Sequence, residues 1–316
     1  MQNKSLWRMV ACTVSLPVRL IDYGLRDYNV DGQIGLEQTP DEYVAGLVQV
    51  FKEVKRVLRD DGTAWINLGD SYASVKSRYS QKPQSLNGGK PQDNEFHGNK
   101  PDLYHHKEFG LKDKDLIGIP WMVAFALRAD GWYLRQDIIW HKPNPMPESV
   151  RDRCTKAHEY IFLLSKSARY YYDNKAIMEP AVYGEEHANK ATSWGTNRKH
   201  PNKANVADYA FIGDNHTTSK MADGSYGRNK RSVWTVNTQP YKGAHFATFP
   251  PALIEPMILA GCPAGGIVLD PFVGSGTTVM VANQLGRKGI GLDLNFKYLK
   301  DNAKERIATV QPVMFS

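Results

Sequence analysis

A glycine-rich stretch close to the C-terminus has the residue types of a nucleoside-binding turn. Residues 270–277 read Asp-Pro-Phe-Val-Gly-Ser-Gly-Thr, and the apolar run 267–269 precedes them. This pattern predicts a buried strand, a tight glycine turn, and a helix that begins near Thr277 and ends at Gly286. A turn between a strand and a helix N-terminus presents backbone N–H groups to a ligand at close range.

A second carboxylate, Asp293, ends the next apolar run, residues 289–293. At the carboxyl end of a neighbouring parallel strand, such a carboxylate is suited to the two hydroxyls of a ribose. A dinucleotide fingerprint would need glycine where Val279 stands, and a phosphate-binding P-loop would need a lysine after Gly276, where Thr277 stands. The spacing therefore favours a nucleoside pocket, with a plain glycine turn in an ordinary α/β fold as the alternative.

Residues 270–277 closely resemble the cofactor motif of the S-adenosylmethionine-dependent amino-methyltransferases of DNA, which methylate exocyclic nitrogens of adenine or cytosine. The order of motifs is similar to that of the β class of this family. In that class a catalytic half comes first, a recognition insert second and the cofactor half last. The resemblance covers nearly the whole chain, and its collinear pieces lie at 23–28, 32–36, 67–72, 130–132, 140–144, 158–159, 245–246 and 249–250.

The resemblance implies S-adenosyl-L-methionine as the cofactor and Asp293 as the residue that takes the ribose hydroxyls. The residues that it places around methionine and ribose are Asp270, Phe272, Gly274, Ser275, Gly276 and Thr277. The residues that it assigns to the segment completing the pocket are His245, Phe246 and Phe249. Alternatively, the two phenylalanines belong to the core, and the histidine is a hydrogen-bonding residue at a helix start.

The family's catalytic motif, Ser/Asp/Asn-Pro-Pro-Tyr/Phe, is altered in this chain. In the family, the first side chain and the first proline carbonyl accept hydrogen bonds from the target amine, and the ring stacks on a base flipped out of the duplex. The corresponding residues 15–23 read Ser-Leu-Pro-Val-Arg-Leu-Ile-Asp-Tyr. Ser15 and Pro17 match the first two roles, whereas Asp22 and Tyr23 offer another acceptor and a ring. The alternative is a family member that binds cofactor and DNA without transferring a methyl group.

The resemblance implies site-specific methylation of double-stranded DNA. A serine-type motif slightly favours the N4 amine of cytosine, and the N6 amine of adenine stays open as the target. A net charge of +7 and a pI near 9.1 favour a polyanionic partner. An RNA methyltransferase is an alternative. A cognate restriction endonuclease is an open question as a further partner, and a monomer or weak homodimer is expected.

A basic and aromatic segment, residues 175–242, is expected to be the target-recognition insert. Cations interleaved with aromatic rings suit a nucleic-acid surface, where phosphates meet cations and bases meet rings. The candidate DNA-binding residues are Arg198, Lys199, Lys203, Arg228, Lys230 and Arg231. A solvated insert without a nucleic-acid role is the alternative explanation of this composition.

The expected fold is α/β: a doubly wound, mostly parallel methyltransferase sheet with an antiparallel hairpin at one edge. The catalytic half would span 1–174, with a long polar loop at 72–116, and the cofactor half would span 243–316. Helices are expected at 39–62, 119–129, 250–260, 277–285 and 295–308. Strands are expected at 8–15, 63–68, 133–140, 159–165, 267–269 and 289–293, with 170–172 completing the hairpin.

The three cysteines, Cys12, Cys154 and Cys262, are far apart and lack the paired spacing of a metal site. A reduced, cytoplasmic protein without a metal is therefore the simplest expectation. No apolar run reaches membrane-spanning length, so no membrane partner is expected. Residues 9–18 are expected to form a buried strand, because no small-residue cleavage site follows them.

Overall fold

The computed structural model of the chain describes two compact units. The described residues are 9–15, 32–37, 39–73, 110–181, 218–221, 224–239, 249–295, 299–300, 304 and 307. The larger unit comprises Met1–Tyr171 together with Val233–Ser316, and the smaller unit comprises Tyr172–Ser232.

The strands of the described residues are, in chain order, β1 (Met9–Ser15), β2 (Leu58–Leu68), β3 (Tyr133–His141), β4 (His158–Ser165), β5 (Glu179–Pro180), β6 (Thr218–Lys220), β7 (Tyr226–Arg228), β8 (Val233–Thr235), β9 (Ile267–Asp270) and β10 (Lys288–Gly291). The helices are α1 (Pro40–Val57), α2 (Ile119–Ala129), α3 (Pro251–Gly261) and α4 (Thr277–Gln284).

In the described residues of the larger unit, seven strands form one sheet with the order β10-β9-β1-β2-β4-β3-β8. Within this sheet every strand runs in one direction except β4, which is antiparallel to both of its neighbours. The expected α/β class with a mostly parallel sheet is therefore confirmed. Because the parallel strands all point the same way, the carboxyl ends of β9, β1 and β2 lie along one edge, which we call the carboxyl edge.

The antiparallel hairpin differs from the expected one. Strands β3 and β4 form it, and β8 pairs with β3 and extends the sheet beyond it. Residues 170–172, expected as the second arm, form no strand. The backbone N–H groups of Lys166 and Tyr171 instead donate to the carbonyls of Gly62 and Asp61, at 3.3 and 2.8 Å. The chain after β4 is thus held along β2 rather than folded back on β4.

Helix α1 begins with the expected capping box. The Thr39 hydroxyl accepts the Glu42 N–H at 3.0 Å, and the Glu42 carboxylate accepts the Thr39 N–H at 3.2 Å. The helix ends at Val57, earlier than the expected end near residue 62, because Leu58 already pairs with Met9 of β1. Pairing with a neighbouring strand therefore overrides the helical spacing at this point.

Helices cover both faces of the sheet. On one face, Leu47 and Phe51 of α1 and Leu127 of α2 pack with Phe162 of β4 in a fully buried cluster. On the other face, Trp65 of β2 lies under α3, where a Cβ added to Gly261 would stand 2.6 Å from the indole nitrogen. The wide ring therefore requires glycine at this close helix–sheet approach.

As far as the structure describes the smaller unit, three strands form an antiparallel sheet with the order β5-β7-β6. The expected insert, residues 175–242, overlaps this unit but extends past Ser232, where the unit ends. Residues 233–235, which fall within the expected insert, form β8 and pair with β3 in the main sheet. Most of the expected loop 72–116 and of the expected closing helix 295–308 lies outside the described residues.

Among the residues that the structure describes, no helix combines the length and apolar character needed to cross a bilayer.

Candidate cofactor and active site

The segment between β9 and α4, residues 271–276, forms the expected glycine turn. Gly274 and Gly276 have φ angles of +47° and +81°, in the left-handed region that favours glycine. The Gly276 N–H donates to the Val273 carbonyl at 2.8 Å, and the Gly276 carbonyl accepts the Met280 N–H at 2.9 Å. The second glycine therefore closes the turn and starts α4.

The carboxylate of Asp270 lies fully buried beneath this turn. One oxygen accepts the Phe272 N–H at 3.0 Å, and the other accepts the Thr278 hydroxyl at 2.5 Å. Burial raises the pKa of Asp270 from 3.8 to about 7; the two hydrogen bonds oppose this shift, and the charge of Asp293 adds to it. Asp270 thus joins the end of β9 to the first turn of α4.

The carboxylate of Asp293 holds the other side of the turn. It accepts the Gly274 N–H at 3.0 Å and the Asn295 N–H at 2.8 Å. The backbone extends this connection, since the Val273 N–H donates to the Leu292 carbonyl and the Leu292 N–H donates to the Asp270 carbonyl, both at 2.9 Å. The segment after β10 is therefore fixed against the glycine turn.

The polar groups around the turn fit a nucleoside with two ribose hydroxyls. Asp293 is half-buried and uses one lone pair of each oxygen, so each oxygen keeps acceptor capacity for a hydroxyl. A Cβ added to Gly291 would stand 2.6 Å from the Val273 side chain, so β10 and the turn are already at close packing distance. No lysine directly follows the turn, in keeping with a ligand that carries no phosphate there.

The remaining residues expected around the cofactor occupy different depths. Ser275 and Thr277 are buried, and their hydroxyls lie 3.3 Å apart. Phe272 is partly buried and packs against the main hydrophobic core. Phe249 is half-buried immediately before α3, whereas His245 and Phe246 lie outside the described residues. The structure therefore brings together the turn and Asp293, and cofactor contacts of the other residues stay a prediction.

Ser15, the first residue of the altered catalytic motif, ends β1 at the carboxyl edge. Strand β1 lies between β9 and β2; Cys12 is opposite Leu269 of β9, and Ser15 is opposite Asn67 of β2. The backbone of Ser15 is thus one strand away from the end of β9, where the glycine turn begins. Pro17, Asp22 and Tyr23 lie outside the described residues.

Asp70 has a structural role at the carboxyl edge that sequence reasoning missed. Helix α2 starts after Gly118 without a side-chain cap of its own. One oxygen of Asp70 accepts the N–H groups of Ser71, Gly118 and Ile119, at 2.9 to 3.2 Å. The absence of a capping side chain directly before α2 was the available signal, but the sequence does not show which distant carboxylate replaces it.

The described candidate DNA-binding residues belong to the smaller unit. Arg228 and Arg231 both donate to one oxygen of Glu179, at 3.0 and 2.6 Å. Arg231 stays 69% exposed, whereas Arg228 is 27% exposed. The positive charge of this pair is partly offset within the unit. Lys230 is half-buried, and Arg198, Lys199 and Lys203 lie outside the described residues.

The fold and the glycine turn define an α/β methyltransferase. The PvuII DNA methyltransferase, described as cytosine-N4-specific, has the same fold with a TM-score of 0.55 and 16% identity, over 96% of this chain and 84% of that one. Protein TTHA0409 of Thermus thermophilus, solved with S-adenosyl-L-methionine, gives a TM-score of 0.51 and 20% identity, over 96% and 86% of the two chains. At these identities the likeness concerns the fold.

The family model described as DNA methylase matches residues 13–305, so the chain belongs to this family. The Type II methyltransferase M.SmaI of Serratia marcescens is 44% identical over 296 residues, covering 94% of this chain and 83% of the relative. M.XycI of Xanthomonas campestris pv. cyanopsidis, also a Type II methyltransferase, is 43% identical over 290 residues, covering 92% and 79%. The expected membership among the amino-methyltransferases of DNA is confirmed.

Proposed function

We propose that the protein transfers a methyl group from S-adenosyl-L-methionine to an exocyclic amine at a specific site in double-stranded DNA. The observation that carries this proposal is the glycine turn fixed by Asp270 and Asp293, one strand away from Ser15. The target is the N4 amine of cytosine or the N6 amine of adenine, and the structural likeness, at 16% identity, favours neither.

In this proposal the cofactor, when bound, supplies a sulfonium methyl group. Asp293 accepts hydrogen bonds from its ribose hydroxyls, and the buried Asp270 keeps the turn in place. On transfer, the N–C bond would form as the S–C bond breaks, the S–C electron pair would stay on the sulfur as a neutral thioether, and the amine proton would pass to an acceptor within residues 15–23 or to water. The protein mainly holds the amine nitrogen and the methyl carbon in line, which lowers the entropic cost of reaching the reactive geometry.

The altered motif leaves two assignments for the groups that hold the target amine. In the first, the Ser15 side chain and the backbone carbonyl of Pro17 accept the hydrogen bonds of the amine. In the second, Asp22 supplies the acceptor and Tyr23 the stacking ring. The second candidate function, a protein that binds cofactor and DNA without turnover, rests on the same departure from the family motif at residues 15–23.

We infer that the smaller unit, with the exposed Arg231 and the basic residues around it, contributes to recognition of the DNA site. Cations on an insert provide sequence-independent phosphate contacts, and base contacts add the specificity. We also propose that the protein is a monomer or weak homodimer. A cognate restriction endonuclease is a candidate partner.

The first prediction tests the pocket with Asp293→Ala. The variant loses the ribose acceptor and the bond to the Gly274 N–H, so calorimetry should show that S-adenosylmethionine binding is lost while duplex binding is kept. Asp61→Ala is the matched control, because Asp61 pairs with Arg59 on the surface and its loss should leave both affinities unchanged. An unchanged cofactor affinity in the Asp293 variant would refute the pocket.

Methyl transfer is measured separately, by protection of DNA from methylation-sensitive cleavage in cells that express the protein. Protection at a defined site requires turnover, so its presence excludes the non-catalytic function. Binding of both ligands without protection would favour that second function instead.

A further inference from the structure

The connection between β3 and β4, residues 142–157, lies at the carboxyl edge of the main sheet. We call it the β3–β4 loop. Strand β3 enters it at His141 and β4 leaves it at His158, two residues that face each other across the hairpin. In the sheet order, β2 alone separates β4 from β1, on which Ser15 stands. The loop is therefore on the same side of the sheet as the glycine turn and the altered catalytic motif.

Side chains hold the β3–β4 loop in place at several points. Asn144 exchanges hydrogen bonds with the backbone of Thr238, at 2.9 and 3.2 Å. The guanidinium of Arg153 lies 3.9 Å from the centre of the Tyr72 ring. The Lys156 ammonium donates to the Asp70 carbonyl at 2.9 Å, just beyond the end of β2. A loop with this many attachments presents its charges at defined positions.

Most charges of the loop are neutralised within the fold. The ion pairs are Lys142–Glu159, Arg153–Glu148 at 2.6 Å and Lys114–Asp152 at 2.7 Å. Two cations of the loop are left without such a pair in the described part of the chain. Arg151 is exposed, and the half-buried Lys156 has a backbone carbonyl as the acceptor for its ammonium.

Lys156 is half-buried among charged groups of both signs. Burial lowers the pKa of this lysine, and the nearby charge of Lys142 also lowers it, against the opposite effects of Asp70, Glu159 and Glu148. Burial of an ammonium is unfavourable, and the three carboxylates offset part of this cost in the free protein. A phosphate on the solvent side of the ammonium would add a further opposite charge.

We propose that Arg151 and Lys156 bind backbone phosphates of the DNA strand that carries the target base, next to the flipped-out nucleotide. This inference rests on the proposed function. An exposed guanidinium is suited to two oxygens of one phosphate, whereas an ammonium acts as a point charge. Because the loop is fixed to β2 through Lys156 and Asp70, these contacts place the strand relative to the end of β1. The two residues therefore position the substrate.

The test compares Arg151→Gln and Lys156→Met with Lys52→Gln. Lys52 lies in α1, near Asp130 at 3.6 Å, and serves as the control for loss of one positive charge away from the loop. The probe is a random-sequence DNA duplex, because phosphate contacts do not depend on sequence. For each loop variant, the slope of log affinity against log salt concentration should fall by about one, since each phosphate contact contributes about 0.9 to this slope.

Lys52→Gln should keep the wild-type slope, and Arg151→Lys, which retains the charge, should keep it as well. The affinity of all variants for S-adenosylmethionine should stay unchanged. A wild-type slope in either loop variant overturns the proposal, as does weakened cofactor binding in Lys156→Met, which would assign that lysine to the cofactor. Since Arg151 is exposed, its variant keeps the test decisive even if Lys156→Met does not fold. Absence of duplex binding by the wild-type protein would instead refute the proposed function.

Discussion

Asp270 combines complete burial with two hydrogen bonds that hold the glycine turn. Its carboxylate loses hydration that these bonds replace only in part, and the charge of Asp293 is an added cost. Burial is the larger cause, so the pKa lies near 7 and the group gains a proton close to neutral pH. The geometry of the turn therefore depends on a residue whose charge changes in the physiological range.

The second prediction concerns Asp270→Asn. Because the folded pKa is about 7 and the ordinary value is 3.8, the folded state favours the protonated form. The resulting stability is fully present below pH 4 and is lost as pH rises through 7. Asparagine cannot ionise, so urea unfolding between pH 4 and 8 should show wild type losing on the order of a few kcal/mol relative to the variant. Parallel curves for the two proteins would contradict the buried carboxylate.

At this scale the sequence predicted the residues of the glycine turn, and their individual roles toward a ligand stay predictions. Asp293 was expected to face the ribose, and the structure leaves it acceptor capacity for this role. Asp270 and Thr277 are buried at the two ends of the turn, and their expected place around the cofactor stays a prediction. A motif identifies the residues that a turn requires, whereas burial, which depends on packing from α4 and β10, separates those that support the turn from those that face a ligand.

At the scale of elements, β10 and α4 pack with almost no space between them. A Cβ added to Gly289 would stand 2.7 Å from the Val279 Cα and 2.9 Å from its carbonyl oxygen, both backbone atoms that cannot rotate away. The Gly289 N–H also donates to the Asn283 side chain at 3.1 Å. This glycine therefore sets the distance between the strand that precedes Asp293 and the helix that follows the turn.

The third prediction follows from this packing. Gly289→Ala should move α4 away from β10, lower the free energy of unfolding by about 1–3 kcal/mol as overpacked sites do, and weaken cofactor binding. Gly46→Ala in α1 is the control, because its nearest atom would be 3.6 Å away. That change should stabilise the protein by about 0.5–1 kcal/mol, the usual gain of alanine over glycine in a helix. Urea unfolding measures both, and equal stability of the two variants would contradict the close approach.

Local signals predicted the elements well where they were self-contained. The capping box at Thr39 and the apolar spacing of α2 both gave elements at the expected positions. The sheet does contain an antiparallel hairpin, but the expected arm 170–172 was wrong, because a strand-like pattern contains no information about its partner. The backbone N–H groups of Lys166 and Tyr171 donate to carbonyls of β2, and β3 is the strand that forms the hairpin with β4.

At the scale of the whole molecule, the order of the motifs determines which strand ends meet. The glycine turn is far from Ser15 in the sequence, but β9 and β1 are neighbours in the sheet. The resemblance predicted the order of the two halves along the chain, whereas neither that order nor periodicity specifies which strands pair. The placement of β8 in the main sheet was missed, because its three residues lie within a segment whose composition resembled the insert.

Thermal stabilisation by a ligand should show which cofactor the pocket in the larger unit binds. A ligand that binds only the folded state stabilises it by about 2.7 kcal/mol at a concentration of 100 Kd. S-Adenosylmethionine should therefore raise the Tm by several degrees, whereas NAD should not, because Val279 replaces the third glycine of a dinucleotide fingerprint. In Asp293→Ala the shift should disappear, and in Asp61→Ala it should persist. A larger shift with NAD than with S-adenosylmethionine would mean that the turn accommodates a pyrophosphate, contrary to the pocket proposed for this chain.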